Sequence, residues 1–198
     1  MDNQELIQLI THAREERNLE YKGNISWDAP QSRASLIKTI LAMSNVRDGG
    51  AIVIGVGQHG ENFVLTGLSQ KNFDTFKQND ISSLVNEFTD PYVEITVRRI
   101  DYEHKNYVVI QVEEFSEIPV ICKRDGEKGL RRGAIYTRPR RKIESAEIPS
   151  QVEMREILDM ALEKYIRKFK KQFSRSGLEI IEPEEHHREL FDEQLEGL

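Results

Sequence analysis

Glu20 and Lys22 stand two residues apart in Leu19-Glu-Tyr-Lys-Gly23, a short stretch that reads as a β-strand. Side chains two apart on a strand share a face, so the carboxylate and the ammonium meet while Leu19 and Tyr21 take the other side. An acid in an apolar-leaning strand needs a reason. It is either an ordinary surface ion pair, contributing about 0–1 kcal/mol, or part of a site that handles charge. A second chemistry-bearing stretch runs from Lys123-Arg124 to Arg140-Arg141-Lys142, where residues 123–142 hold nine Lys/Arg against two acids. Lys128, Arg131 and Arg132 fall on a hairpin loop, and Arg138, Arg140, Arg141 and Lys142 at a strand exit, so both groups can point the same way. Tyr136 between them can stack on a base. A charge run is usually a solvated face, but this arrangement favours phosphate binding. Gly55-Val-Gly57-Gln-His-Gly60 matches G-x-G-x-x-G by letter. A dinucleotide site needs a helix to begin in that turn, whereas Asn62–Thr66 reads as a strand. No nucleotide cofactor is expected.

The elements that must position these residues follow from periodicity. Leu6, Ile7, Leu9 and Ile10 predict a helix ending near Arg17-Asn18, ahead of the strand at Leu19. Glu15 and Glu16 belong by default to its solvated end. Asp28 as cap and Pro30 in the first turn predict a second helix, which runs to about Val46 and buries Leu36, Ile37, Ile40, Leu41 and Met43. Gly49-Gly50 turn the chain into Ala51-Ile52-Val53-Ile54, a strand with no polar position, as one covered on both faces should be. A hairpin across Gln58–Asn62 follows. Phe73, Phe76, Ile81, Leu84, Val85 and Phe88 then mark a second main helix closed by Asp90-Pro91. Alternating strands Val93–Ile100 and Tyr107–Glu113 come next, then Ile118–Lys123 and Ala134–Thr137. The fold class is mixed α/β, in the α+β sense: a central mixed sheet packed by helices.

From Pro149 the pattern changes. Val152–Phe173 reads as a helix with Leu158, Leu162, Tyr165, Phe169 and Phe173 along one stripe, a packing face for its own domain or a second copy. Lys164, Lys168, Lys171 and Arg175 lie beside it. Three parts result: a domain over 1–148, a basic amphipathic helix over 149–178 and an acidic tail over 179–198 that is flexible or docked on a partner. His186-His187 in that tail is incidental.

At 198 residues the chain suits one good core rather than two. The net charge of −6 hides strong local fields, since residues 164–175 hold six Lys/Arg and no acid while 179–198 hold eight acids, one Arg and two His. No apolar run approaches the roughly 20 residues of a membrane span, and Met1-Asp-Asn-Gln-Glu lacks the basic start of a signal peptide. Cys122 is the single cysteine, which excludes a disulfide framework and a Cys-based zinc site. A cytoplasmic protein without membrane association is expected.

Taken together, Glu20-Tyr21-Lys22, the helix ending Ala42-Met43-Ser44-Asn45, Gly49-Gly50, Ile52-Val53-Ile54-Gly55-Val56 and Gly133-Ala134-Ile135-Tyr136-Thr137-Arg138 resemble the Schlafen AlbA-like domain over roughly residues 10–145. The resemblance implies nucleic-acid binding, to DNA or RNA, in prokaryotic antiviral defence or regulation. Its nuclease members imply a different activity, metal-dependent endoribonuclease cleavage of tRNA or related RNA. On that pattern Glu15 and Glu20 would hold Mg²⁺ or Mn²⁺ and Lys22 would neutralise the phosphoryl oxygens. The family's third carboxylate falls where this chain has Gly57-Gln58-His59, with no acid until Glu61, a departure that favours binding over cutting. His59 or Glu61 would have to substitute. Since such clamps are built from two lobes, the resemblance also implies a homodimer. A third reading is a protein-interaction module whose acidic tail docks on a partner or masks the basic face.

Overall fold

The computed structural model describes residues 2–60 and 62–176. The chain divides into two units, Met1–Ala161 and Leu162–Leu198. The first begins with α1 (Asn3–Thr11), opened by a capping box in which the Asp2 carboxylate accepts the amides of Gln4 and Glu5 while Glu5 bonds back to the cap. α1 stops short of the predicted end near Arg17, and Ala13 already has a left-handed φ of 55°. Next come β1 (Leu19–Lys22) and α2 (Pro30–Ser44). Pro30 opens α2 as predicted, but Ala29 rather than Asp28 stands at the cap, and no side chain bonds the first turn.

Behind α2 the chain turns through Gly49 into β2 (Gly50–Ile54). Gly49 is required there: its φ is +69° and a Cβ would meet the Val112 carbonyl oxygen at 2.0 Å. The hairpin β3 (Val56–His59) and β4 (Asn62–Leu65) follows, then α3 (Gln70–Phe73), α4 (Gln78–Phe88) and β5 (Thr89–Asp90). The predicted second main helix is therefore broken. Thr75 sits in the break, its hydroxyl donating to the Asn72 carbonyl (2.6 Å) and accepting the Trp27 amide (3.0 Å), a side-chain alternative to helical bonding.

The long hairpin β6 (Ile95–Tyr102) and β7 (Lys105–Val112) completes a four-stranded sheet of order β1-β2-β7-β6. β1 runs parallel to β2, with Glu20 beside Ile52 and Lys22 beside Ile54, and the other pairs are antiparallel. This is the expected mixed sheet. Successive residues of β2 feed two cores: Ile52 and Ile54 join Leu36, Ile37, Ile40 and Leu41 of α2 with Ile81 and Val85 of α4, while Ala51 and Val53 join Leu6 and Ile10 of α1. Double coverage explains the absence of polar residues.

β8 (Ile121–Cys122), a 3-10 turn at Glu127–Gly129, β9 (Tyr136–Thr137), β10 (Ala146–Glu147) and α5 (Gln151–Arg175) finish the described chain. The two predicted strands around the basic loop are only two residues long, β8 pairing with β5 and β9 with β10. Within the first unit, α5 buries Ile157 and Met160 rather than the predicted stripe, and Leu158 is 55% exposed. Within the second unit, α5 carries exposed Leu162, Tyr165 and Phe169. Among the described residues no helix is long and apolar enough to cross a membrane. The predicted acidic tail, His186-His187 and Glu61 lie outside the described residues.

Candidate functional site

Glu20 points from β1 into a buried polar network. Its carboxylate accepts from the Arg138 guanidinium and pairs with Lys22 Nζ, and the Thr39 hydroxyl on α2 donates at 3.3 and 3.4 Å. Arg138 is wholly buried; its Nη2 reaches the Glu16 carbonyl at 3.2 Å and its Nε has no hydrogen-bond partner among the described residues. Burial pushes the Glu20 carboxyl up, but Lys22 and Arg138 outweigh it and hold the group below the usual glutamate value. The segment carrying Arg138 is itself clamped. Buried Asn45, at the end of α2, donates its amide to the Tyr136 and Val120 carbonyls (2.9 and 2.8 Å) and accepts the Val120 amide at 2.8 Å. Arg17 Nε donates to the Arg138 carbonyl at 2.6 Å, and the rest of its guanidinium forks onto Glu156 of α5 at 2.7 and 2.9 Å.

Beside this network opens a cleft of about 300 Å³. Glu15, Glu20 and Lys22 line it from β1 and its approach, Ser35, Lys38 and Thr39 from α2, Lys128 from the 3-10 turn, and Ile143, Glu144 and Ser145 from the loop before β10. Lys38 Nζ reaches the Lys128 carbonyl at 3.5 Å, and the Ser145 hydroxyl lies 3.4 Å from that of Thr39. The loop of the basic run, through Lys128, and the segment just beyond its end, residues 143–145, thus contribute to one cleft. Ser35, Lys38, Thr39 and Ser145 were not singled out by sequence reasoning. The signal available was the polar triplet Ser35, Lys38, Thr39 at i, i+3, i+4 within Ala34–Met43, a stretch whose other residues are all apolar.

Two residues assigned to phosphate or base contact do not stand on the surface. Arg138 is spent on Glu20, and the Tyr136 ring is buried, its hydroxyl donating to the Gly129 carbonyl (2.6 Å) and accepting the Arg131 amide (2.8 Å). Tyr136 is not available to stack on a base. The remaining cations are exposed. Arg131 pairs with Glu147, Arg140 with Glu156 at 3.2 Å, and Lys142 with Glu144 at 2.5 Å. Arg132 and Arg141 also face solvent.

In this arrangement Glu20 is not a free donor for a hard divalent cation. Glu15 lines the same cleft as Glu20, but one of its oxygens accepts the Tyr21 amide at 3.1 Å, and Glu20 is already compensated by two cations and a hydroxyl. Mg²⁺ can be held by one or two carboxylates with waters and phosphate oxygens, but only if those carboxylates are not already engaged as Glu20 is here. Among the described residues no group of three or more His, Cys, Asp or Glu side chains is disposed to hold a metal. Gln58 and His59 are exposed on β3 and do not line the cleft.

A family model described as Schlafen, AlbA_2 matches residues 15–147. Comparison with curated proteins gave no match. Among solved structures, the chain is similar to the DIP2311 protein from Corynebacterium diphtheriae, at 12% identity and a TM-score of 0.46 over 73% of this chain and 26% of that one. It therefore spans about a quarter of that protein's chain. It is also similar to the N-terminal domain of an ATP-dependent DNA helicase RecG-related protein from Nitrosomonas europaea, at 21% identity and a TM-score of 0.47 over 65% of this chain and 86% of that one.

Proposed function

The chain belongs to the Schlafen AlbA_2 family, and from that premise we propose that it binds nucleic acid through backbone phosphates at the cleft beside β1, without cutting it. The observation that carries this reading is the convergence of Lys22, Lys38 and Lys128 with three hydroxyls on one cleft. The lining itself balances three lysines against three carboxylates, Glu15, Glu20 and Glu144. Two of those carboxylates are already engaged from outside it, Glu20 by buried Arg138 and Glu144 by Lys142, which leaves the lysines to favour an anion. Arg131, Arg132, Arg140, Arg141 and Lys142 extend the positive surface on the two loops that feed the cleft. The ion pairs of Arg131 and Lys142 are solvent-exposed; such pairs are worth about 0–1 kcal/mol and yield readily to a phosphate. Phosphate contacts position a duplex or strand without reading its bases, so the expected preference is for shape and backbone.

A second reading is metal-dependent endoribonuclease activity through Glu15, Glu20 and Lys22, supported by their shared cleft. The compensation of Glu20 by Arg138 and Lys22 favours binding alone. Fluorescence anisotropy with labelled tRNA and duplex DNA at rising salt tests the proposal. Affinity that falls linearly in log–log form is expected, and an absence of binding at low salt would overturn it.

A further inference from the structure

We propose that the face of α5 formed by residues 162–175 is a docking surface for the chain's own acidic segment, residues 179–198. The surface is both apolar and cationic. Leu162, Tyr165, Ile166 and Phe169 are 43–63% exposed. The rings of Tyr165 and Phe169 stack at 6.4 Å, and those of Phe169 and Phe173 lie 4.6 Å apart, giving one continuous aromatic ladder. Around it stand six Lys/Arg, from Lys164 to Arg175, against the one acid Glu163. A solvated polar helix has no use for that ladder, and a ladder alone carries no charge preference. The combination calls for an occupant with acids and apolar side chains together.

Residues 179–198, which lie outside the described residues, have that composition: eight acids against one Arg, with Ile180, Ile181, Leu190, Phe191 and Leu195 among them. A second copy of α5 suits the face poorly, because it would bring six more cations against the first six. Reach is no obstacle. The segment begins three residues beyond Ser176 and is twenty residues long, enough to extend ~65–70 Å, whereas fourteen helical residues span ~21 Å. A segment tethered so closely acts at an effective concentration in the ~mM range, ahead of any free acidic partner. Charge attraction brings the segment in and the aromatic ladder retains its apolar residues, so the contact weakens with salt but is not abolished by it.

Hydrogen exchange of the full chain, in the absence of nucleic acid, tests this independently of the phosphate-binding proposal. Amides of 179–198 are expected to be protected several-fold over unstructured peptide, equally at low and high protein concentration. Lys164→Glu/Lys168→Glu/Lys171→Glu should remove that protection, and wild-type protein in high salt should lose part of it, a control that needs no variant to fold. Exchange of 179–198 at the unstructured rate would overturn the proposal. So would protection that rises with protein concentration, which would assign the face to a second copy, or protection that survives both the triple substitution and salt.

Discussion

The guanidinium of Arg138 meets the carboxylate of Glu20 across 118 residues of sequence, with no more than 9% of either side chain exposed. This pair binds the strand that walls the cleft to the segment that closes it. Lys22 and Thr39 complete the environment of the same carboxylate. Glu20 is therefore a counter-ion in the wall of the cleft, and under the proposed function Lys38 and Lys128 are the lysines that meet a ligand.

Removing one partner should be costly. Arg138→Met leaves an acid in the interior opposite only Lys22 and Thr39, and breaking a buried pair in this way costs about 3–5 kcal/mol. Urea unfolding should show it as a lower midpoint. Glu20→Gln combined with Arg138→Met should recover part of the loss, and strictly additive losses would mean the pair is not coupled.

Acid should expose the same pair. Glu20 titrates below its ordinary value of 4.5, and Glu156, held down first by the hydrogen bond from Arg17, does likewise. A depressed folded pKa means the unfolded chain binds more protons near that value. The stabilisation is therefore complete above the ordinary glutamate pKa and is lost as pH falls through the lower folded values. Melting temperature followed from neutral pH into that acid range should drop more steeply for wild type than for Glu20→Gln. Parallel curves would contradict the assignment.

Gly49→Ala should damage the turn into β2. The left-handed backbone alone costs an L-residue ~1–2 kcal/mol, and the Val112 carbonyl occupies the place of the new methyl. The loss in thermal unfolding should exceed that range. A neutral substitution would mean the turn relaxes freely.

Much of this was legible in residue order. Ala51–Ile54 announced a doubly covered strand because every position is apolar, and the Glu20–Lys22 spacing put both groups on one face. Arg138 was not legible as a buried residue. It stands in a basic run beside Arg140 and Arg141, and only Glu20, brought in by the parallel pairing of β1 with β2, draws it inside. Tyr136 is held inside by the apolar core around its ring and by the hydrogen bonds of its hydroxyl with Gly129 and Arg131. On α5 the sequence holds two apolar faces one residue out of phase, Leu158 on one and Ile157 on the other, and only tertiary packing selects Ile157. The break between α3 and α4 depends on Thr75 meeting Trp27, a contact 48 residues distant in sequence.

The cations of the cleft and its loops predict a graded response. Single substitutions Lys38→Ala, Lys128→Ala, Arg132→Ala and Arg141→Ala should each weaken RNA and DNA binding about equally across sequences. Each should also lower the salt slope by about 1. A change in sequence preference instead would indicate base contact.

The most direct measurement is binding and cleavage of labelled tRNA with Mn²⁺ or Mg²⁺ against EDTA, using wild type and Lys38→Ala/Lys128→Ala. Phosphate binding at the cleft predicts metal-independent affinity, intact RNA, and a loss of at least ~10-fold in the double variant, in keeping with two lost phosphate contacts. RNA cut only in the presence of metal, with binding indifferent to the two lysines, would contradict it.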